Sequence, residues 1–370
     1  MSMGTRDCGT DTRQDTRLDE KGRPLAVVPA KVPWVALGVF VLVAGCLAWV
    51  ACLPLWISGE GLKNMVAVQL CGQAMMLAPL VAVIAAMIVQ RKRAKRRGIP
   101  QPGVARYLGI WPLRPARRVV GFTLLALFGT FVLVALAYFL SAAFGWVRLD
   151  LAGLSGFKAQ LGQLLPGVEN LPIGLGIVIY LGLMVFSTLV TAIFTFGEEV
   201  GWRGWLLTSL RPLGTWPALI IVGVIWGLWH APLILLGYNF GRPDISGLGL
   251  MVIGCVMVGI LLGWLRMRTG SLWPAVFGHA AINGSSGMLL GLFIDANSPT
   301  PDMALVALLG AAGWILSAVV AIILVATGQF RRQPELSIGP PPPVIVTRTE
   351  ADAPTAAETG DLATTYESSL

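Results

Sequence analysis

The sequence predicts an all-α fold, a polytopic transmembrane bundle of about eight spanning helices. Hydrophobic residues make up 55% of the 370 residues and charged residues only 12%, whereas an ordinary soluble domain has about 25% charged residues. The apolar residues form long runs separated by short basic clusters, and a helix needs about 20 mostly apolar residues to cross a bilayer. Because so few charges could not cover the apolar surface in water, we expect the bilayer to be the solvent of this chain.

Each apolar run is predicted to form a helix. Backbone groups in lipid need internal partners, which only helices and closed barrels provide, and the runs lack the period-two alternation typical of strands. The fourth run could continue as a helix to residue 210. The approximate ranges are 33–57, 65–89, 119–146, 173–196, 217–237, 247–265, 272–294 and 303–327.

Basic residues predict the orientation of the bundle. Lys21, Arg23 and Lys31 precede the first run, and Arg331 and Arg332 follow the eighth. With eight helices, these clusters and those after runs two, four and six fall on one side. Because basic loops stay in the cytoplasm, we expect both termini there and a multi-pass protein of the cell membrane. Topology thus accounts for the net charge of +8, and no basic face with aromatic readers indicates nucleic acid.

Three regions are predicted along the chain. Residues 1–31 are polar and form a disordered cytoplasmic segment, and residues 32–330 form the transmembrane domain. Residues 331–370 form a disordered Pro-rich cytoplasmic tail with a polyproline segment at 340–343. The first apolar run is too long for the core of a cleavable signal peptide. The cysteines lack CxxC spacing, which argues against a disulfide framework and a cysteine-ligated zinc site.

Few ionisable residues interrupt the predicted helices, and each is a candidate functional residue because charge in lipid is unfavourable. They are Glu198, Glu199, Arg203, His230 and His279, and the two histidines are the only ones in the chain. Any one of them alone would suit a polar contact between helices. The set, with both histidines in it, favours a functional site.

The spacing of these residues indicates which of them share a helix face. Glu199 and Arg203 are four residues apart with the acid first, so they can pair. Glu198 is turned by about 100° from its neighbour and can point elsewhere. His279 and Asn283 also lie four residues apart on one face.

Glycine pairs beside these positions have the spacing that allows close helix approach. We therefore expect helices four, five and seven to converge on one polar pocket. The pairs are Gly197 and Gly201, Gly223 and Gly227, and Gly287 and Gly291.

The residue types in this pocket suit hydrolysis. An apolar pocket favours the protonated form of a carboxyl group, so a glutamate there could act as general base or acid near neutral pH. A neutral histidine could relay the proton or bind a metal. A histidine and an asparagine amide could donate hydrogen bonds to a developing oxyanion. The same residue types would also serve a network that only holds helices together.

Three short motifs resemble those of the CPBP family, which joins type II CAAX prenyl endopeptidases with bacteriocin-processing enzymes and is also called Abi. EEVGWR at 198–203 resembles the EExxxR motif, WGLWH at 226–230 resembles FxxxH, and HAAIN at 279–283 matches HxxxN. Their order and their placement in predicted helices also agree, and the resemblance covers a motif core of about 119–327. Trp226 stands where phenylalanine is usual, from which we expect altered packing rather than lost activity.

The resemblance implies an intramembrane endopeptidase and a role for each motif residue. Glu198 would activate the attacking water, assisted by His230. Glu199 and Arg203 would maintain the charge and geometry of the pocket. The substrate would be a membrane-anchored protein or a precursor peptide, including prenylated CAAX types, and membrane lipids would surround the enzyme.

The resemblance also implies a role for the third motif and raises the question of a zinc cofactor. His279 and Asn283 would stabilise the tetrahedral oxyanion. The family has been read both as metalloprotease and as metal-free glutamate protease. Glu198, His230 and His279 could hold zinc, but a stable zinc site prefers four ligands and no HExxH is present.

Other classes of protein remain open at this point. A rhomboid-like serine protease is suggested by GSSG at 284–287, but its histidine should follow on a later helix, and no histidine occurs after His279. A proton-coupled transporter would also place carboxylates and histidines in the membrane. A non-catalytic immunity or scaffold protein could keep the motifs intact. Loss of function in Glu198→Gln would argue for an enzyme over a scaffold.

Overall fold

The computed structural model describes residues 26–164, 172–334 and 336. All regular elements in this part of the chain are helical, and an isolated bridge joins Leu149 to Ile294. Every predicted apolar run contains a helix, which confirms the all-α bundle. A π-helical segment, Val200–Leu206, lies between α6 and α7 in the order that follows. The helices are α1 (Trp34–Ile57), α2 (Met65–Arg96), α3 (Val104–Leu108), α4 (Ala116–Ala143), α5 (Ser155–Leu164), α6 (Ile173–Glu199), α7 (Leu207–Leu210), α8 (Thr215–Trp229), α9 (Ala231–Ile234), α10 (Ile245–Thr269), α11 (Trp273–Phe293), α12 (Met303–Val306) and α13 (Ala311–Ala326).

Within the described residues, 6 helical segments are long and apolar enough to cross a membrane. They are α1, α2, α4, the continuous stretch Ile173–Leu213, α10 and the stretch Met303–Ala326. The chain is therefore a multi-pass integral membrane protein. Helix α8 is apolar but has only 15 residues, and α11, with 21 residues, is outside this set. Eight crossings and cytoplasmic termini stay predictions.

Local sequence signals explain where two long helices begin. Asn64 caps α2 by accepting a hydrogen bond from the backbone N–H of Ala67. Asp244 caps α10 through the backbone N–H groups of Ser246 and Gly247. Hydrogen bonds from the Ser246 hydroxyl and from these two N–H groups lower the pKa of Asp244. Helix α2 ends with Arg93, Lys95 and Arg96 in its last turn, where cations interact favourably with the helix dipole.

Helix packing brings the motif-bearing elements around a common space. Helix α1 packs against α2, α4 against α11, and α8 against α10, while α6 contacts both α2 and α11. The first motif lies at the end of α6, the second at the end of α8 and the third in the middle of α11. Helices α2 and α10 therefore support the three motif helices from either side.

Glycines permit the closest of these approaches. A Cβ atom at Gly223 or Gly227 of α8 would lie 2.6 or 2.5 Å from backbone atoms of α10. A Cβ atom at Gly197 or Gly201 would lie 2.9 or 2.5 Å from atoms of α2. Gly287 has no such neighbour within 4 Å. Two of the three pairs thus join motif helices to α2 and α10 rather than to one another, which their spacing did not indicate, whereas Gly291 of the third pair lies against Gln160 of α5.

The predicted single helix over 217–237 is wrong at His230. Helix α8 ends at Trp229, His230 is the C-cap that follows it, and the short helix α9 begins at Ala231. Pro232 explains the interruption because it has no N–H group and its ring excludes the carbonyl four residues earlier. His230 therefore lies at the junction of two helices, as the C-cap of α8 and the N-cap of α9.

The predicted helix over 303–327 is also divided. Helix α12 ends at Val306, and the backbone turns extended at Ala307 before α13 begins. Gly310 fits this turn because a Cβ atom there would lie 2.5 Å from the carbonyl oxygen of Ala304. The side chain of Trp314 donates a hydrogen bond to the carbonyl of Leu309 at 2.7 Å, which satisfies one of the freed backbone groups.

The predicted disordered segments 1–31 and 331–370 lie mostly outside the described residues, as do the prolines at 340–343. The residues of the tail that the structure describes, 331–334 and Leu336, contact the bundle. Gln333 hydrogen-bonds Arg211 at 2.6 Å, and Leu336 is buried.

Candidate active site

The first motif sits where an α-helix changes to a π-helix. Glu198 and Glu199 are the last residues of α6, and Arg203 lies within the π-helical segment. The helix then continues through α7 to Leu210, which confirms the predicted extension of the fourth run. π-Helical turns inside α-helices occur frequently at functional sites. Both glutamates and Arg203 are buried.

Glu199 forms the centre of a buried charged cluster. Its Oε1 atom lies 2.6 Å from Arg203 Nη1 and 2.9 Å from His279 Nδ1. The predicted pairing of Glu199 with Arg203 is thus present, and the pair also reaches across to α11. A carboxylate can only accept these hydrogen bonds, so Nδ1 of His279 carries a proton. Glu199 therefore fixes the ring orientation of His279.

Arg203 retains donors without acceptors among the described residues, namely Nε and Nη2. Its guanidinium carbon lies 4.2 Å from the ring centroid of Trp226, close enough for a cation–π interaction. Gly259 leaves room for the guanidinium, because a Cβ atom there would lie 3.4 Å from Nη2. The Trp226 ring and the ion pair with Glu199 together offset the unfavourable free energy of removing the Arg203 charge from water.

Glu198 is oriented separately from Glu199. Its Oε2 atom accepts hydrogen bonds from the indole N–H groups of Trp226 at 3.0 Å and Trp202 at 3.3 Å. Neither contact involves a full countercharge. The predicted divergence of the two neighbouring glutamates is therefore present, with one in an ion pair and the other held by neutral donors.

His230 has a defined tautomer. Its Nδ1 atom lies 2.8 Å from the backbone carbonyl oxygen of Trp226. Because a carbonyl can only accept a hydrogen bond, Nδ1 carries the proton and Nε2 of a neutral ring has a free lone pair. His230 can therefore accept a proton or a hydrogen bond at Nε2.

The third motif adds an amide beside the second histidine. Asn283 Nδ2 lies 3.4 Å from His279 Nε2, a long contact at the limit of a hydrogen bond. Asn283 is exposed, whereas His279 is buried. The amide is thus available to a molecule in the adjacent space.

A cavity of about 410 Å³ connects these residues. Glu198, His230, His279 and Asn283 line it, whereas Glu199 is not among its lining residues. The structure thus brings four of the six candidate residues to one cavity and leaves the Glu199–Arg203 ion pair behind them. Such a cavity with convergent polar groups is typical of a ligand or active site.

Two tryptophans in the site were not predicted as site residues. Trp226 was expected to alter packing only, yet its N–H group binds Glu198, and its ring also lies 5.1 Å from that of His279. Trp202 follows Glu198 by one helical turn and donates to it from the same helix. Trp202 lies four residues after Glu198, and Trp226 lies four residues before His230. This spacing was the signal in the sequence that the two tryptophans belong to the site.

The proposed zinc ligands Glu198, His230 and His279 receive no support from the geometry. Within the described part of the chain, no three His, Cys, Asp or Glu side chains are grouped so that they could hold a metal ion. Nδ1 of each histidine is hydrogen-bonded within the protein, so only Nε2 of each ring is left for a ligand. The residues present do not fit a zinc site, which prefers four ligands.

The serines of the GSSG segment do not form a second catalytic group. Ser285 donates to the carbonyl of Ala281 at 2.6 Å, and Ser286 donates to that of Ile282 at 2.7 Å. Gly284 packs against Thr188, where a Cβ atom would lie 2.6 Å from the hydroxyl oxygen. The segment thus serves the packing of α11 against α6.

The fold and this buried polar site define a multi-pass integral membrane protein with a polar cavity among its helices. Residues 179–285 match the family model described as "Type II CAAX prenyl endopeptidase Rce1-like", and all six candidate residues fall within this match. A curated relative, CAAX prenyl protease 2 of Methanococcus maripaludis, is 30% identical over 113 residues. These two comparisons support the resemblance to type II CAAX prenyl endopeptidases over this segment of the chain.

The similarity is confined to part of each protein. The aligned segment is 29% of this chain and 40% of the Methanococcus maripaludis relative, so the chain spans less than half the length of that relative. Helices α1, α2 and α4 precede the segment that matches the family model.

Proposed function

We propose that this protein is an intramembrane endopeptidase that hydrolyses a peptide bond in a membrane-associated or precursor peptide, with prenylated CAAX-type peptides as one candidate class. The observation that carries the proposal is the placement of Glu198, His230, His279 and Asn283 around one cavity. The family match supports a membrane endopeptidase. A non-catalytic scaffold or a proton-coupled transporter would not need an amide and a histidine beside an oriented carboxylate.

Glu198 acts as the general base in this mechanism. A water molecule between Glu198 and His230 donates one hydrogen bond to the carboxylate and one to Nε2 of the histidine. As the water oxygen attacks the carbonyl carbon of the substrate, its proton passes to Glu198. The indole N–H groups of Trp202 and Trp226 hold the carboxylate in place.

Asn283 and His279 stabilise the oxyanion that forms. The Nδ2 group of Asn283 donates one hydrogen bond, and Nε2–H of a protonated His279 donates the second. Glu199 supports that protonated state because it binds Nδ1 at 2.9 Å. With Glu198 ionised, the charges of Glu198, Glu199, Arg203 and His279 sum to zero, so the buried cluster carries no net charge.

Collapse of the tetrahedral intermediate completes hydrolysis. The bond between carbon and nitrogen breaks, and Glu198 returns its proton to the leaving amine. A new carboxyl group remains on the other fragment. The chain's own residues supply the base, the acid and the oxyanion donors, and no step requires a metal ion.

The test is cleavage of a peptide mixture by purified protein in detergent, read by mass spectrometry. The mixture includes farnesylated peptides that end in CAAX sequences. We expect Glu198→Gln to abolish cleavage, because the amide cannot accept the water proton, and to leave the thermal unfolding of the protein nearly unchanged. A preparation dialysed against a metal chelator should retain the activity of the untreated enzyme.

Three results would overturn this proposal or parts of it. Equal cleavage by wild type and Glu198→Gln would mean that the base lies elsewhere or that a contaminant cleaves the peptides. Loss of activity on chelation, restored by zinc, would require a metal-dependent mechanism instead. If wild type drives a proton-dependent flux in vesicles and cleaves nothing, the transporter is the better assignment.

A further inference from the structure

A second cavity, of about 1010 Å³, lies at the end of α2. The segment before α1, the last turns of α2 and the loop that follows them form most of its wall. None of its lining residues borders the cavity of the candidate active site, and all of them except Pro212 precede the segment that matches the family model. Neither the candidate active site nor the family match therefore gives this second cavity a function.

Three cations line the second cavity, namely Lys31, Arg93 and Arg97. No acidic residue stands among the described residues of its wall. Within the described part of the chain, the three side chains are exposed and take part in no ion pair or side-chain hydrogen bond. The wall thus has three positive charges that the described residues do not neutralise.

Arg93 and Arg97 are spaced so that they can bind one anion together. They are four residues apart and therefore share a helix face, and each guanidinium can offer two parallel N–H donors to a phosphate group. Arg91, by contrast, donates to the carbonyl of Pro102 at 2.6 Å, so it holds the loop after α2 against the helix. The remaining basic residues of this run do not line the cavity, and they are Lys92, Lys95 and Arg96.

Hydrogen bonds fix the wall beside this arginine pair. Gln90, which is buried and lies three residues before Arg93, donates to Gln101 at 3.3 Å and accepts from the indole N–H of Trp205 at 3.0 Å. Trp205 belongs to the π-helical segment that follows α6. These contacts join the wall of the second cavity to the helix that carries the first motif, so the cavity is a built part of the bundle.

The position of the second cavity matches the headgroup layer of a bilayer. Helix α2 has 32 residues, which is about 48 Å at a rise of about 1.5 Å per residue, whereas the hydrocarbon core is about 30 Å thick. The basic last turns of α2 therefore extend beyond that core. Trp34, which is 61% exposed at the start of α1, lines the same cavity, and tryptophan is enriched at the membrane–water interface. The cavity thus combines cations with exposed apolar side chains.

We propose that the second cavity binds an anionic phospholipid. The phosphate lies between Arg93 and Arg97, and Lys31 adds a further countercharge. The acyl chains lie along Trp34 and Val35, whose exposed side chains favour a lipid over a free phosphate ion because that ion offers them no contact. A basic pocket between membrane helices at the bilayer surface suits a lipid headgroup. The inference is independent of the proposed endopeptidase function, since no residue of the candidate active site takes part.

The experiment measures thermal unfolding of the full chain in a neutral detergent, with and without added lipid. Phosphatidylglycerol and phosphatidylcholine with the same acyl chains differ in net charge, and inorganic phosphate supplies the anion without the chains. We expect phosphatidylglycerol to raise the melting temperature by about 3 °C or more, because a ligand that binds the folded state stabilises it. Phosphatidylcholine and inorganic phosphate should give little or no shift.

Paired variants separate this site from general attraction between charges. Replacing both Arg93 and Arg97 by Gln should abolish the shift. Replacing both Lys92 and Arg96 by Gln removes the same charge at the same spacing from side chains outside the cavity wall, and should keep the shift. Without lipid, both variants should unfold near the wild-type temperature, because these four side chains have no side-chain partner among the described residues. Lys31→Gln, in another element, should reduce the shift and is the second test if the first variant does not fold.

Three results would overturn the lipid site. A shift that is lost in both paired variants, or kept in both, would show that Arg93 and Arg97 have no specific effect. An equal shift with inorganic phosphate would assign the cavity to a free anion instead of a lipid. An equal shift with phosphatidylcholine would mean that the charge of the headgroup is not recognised. Glu198-dependent cleavage of peptides is measured separately, so failure of one proposal leaves the other standing.

Discussion

Trp226 links the two halves of the candidate active site. It donates to Glu198 through its indole N–H, its ring lies beneath the Arg203 guanidinium, and its carbonyl accepts from His230. A phenylalanine at this position would keep the ring contacts and lose the hydrogen bond. The indole is therefore a positioning group for the general base, beyond the packing role that an aromatic residue alone would have.

We predict that Trp226→Phe lowers kcat by about tenfold to a hundredfold, since a hydrogen bond to a charged group contributes about 1.5–3 kcal/mol. KM should change little, because the lost contact holds Glu198 rather than the substrate. The measurement is steady-state cleavage of the best peptide substrate by folded protein in detergent.

Trp205→Phe is the matched control for this substitution. Its indole N–H donates to Gln90 at 3.0 Å in the same buried region but outside the cavity. It should reduce stability without the fall in kcat. If both variants lost activity in proportion to their stability, Trp226 would have no specific effect on Glu198.

The sequence predicted six candidate residues because each is a rare polar group in an apolar helix. It did not predict the role of Trp226, since an aromatic residue at that position is expected in any case. The contact of Trp226 with Glu198 joins residues of two helices, 28 positions apart. Spacing within one helix carries no information about such a contact.

The π-helical segment depends on Arg266 of α10. Arg266 is buried, and it donates from Nε to the carbonyl of Arg203 and from Nη2 to the carbonyl of Tyr107, both at 3.2 Å. A third donor binds the carbonyl of Gly270. Gly109 leaves space for this guanidinium, because a Cβ atom there would lie 2.5 Å from its central carbon. One side chain thus joins the π-helical segment, the C-terminal part of α3 and the residue that follows α10.

We predict that Arg266→Met destabilises the protein by at least about 3 kcal/mol, because several buried carbonyls lose a donor at about 1–3 kcal/mol each. Thermal unfolding in detergent measures this loss. Arg268→Met is the control, since Arg268 lies in the same turn of α10 and donates to Gln329 at 3.3 Å. Equal destabilisation by the two variants would contradict a special role for Arg266.

The sequence predicted where the helices lie better than it predicted whether each helix is unbroken. The extension of α6 to Leu210 was predicted because Trp202–Leu210 stays apolar apart from Arg203. The end of α8 at Trp229 was not predicted, although Pro232 indicates a break in the helix at this point. The π-helical turn at Val200–Leu206 depends on packing against α2 and α10, so the sequence of the helix alone does not reveal it.

At the scale of the whole molecule, hydropathy predicted the bundle but not which helices pair. The last described residues also contact the bundle, although the tail was predicted to be disordered. Phe330 packs on Trp216 with ring centroids 4.9 Å apart. Arg211, which is buried, donates to Gln333 at 2.6 Å and to the carbonyl of Leu336 at 3.0 Å. The described residues of this segment, 329–334 and Leu336, therefore cover the start of α8.

We predict that residues 329–336 stabilise the bundle while residues 337–370 do not. Ending the chain after Gly328 would remove an aromatic contact and leave the buried Arg211 without two acceptors, which should lower the melting temperature by about 5 °C or more. Ending it after Leu336 keeps these contacts and tests the prediction that the remaining tail is solvated. Two truncated proteins that are both as stable as the full chain would show that the segment contributes nothing. If both lost stability equally, residues 337–370 would carry the stabilising contacts, and Arg211→Met in the full chain would then be expected to have little effect.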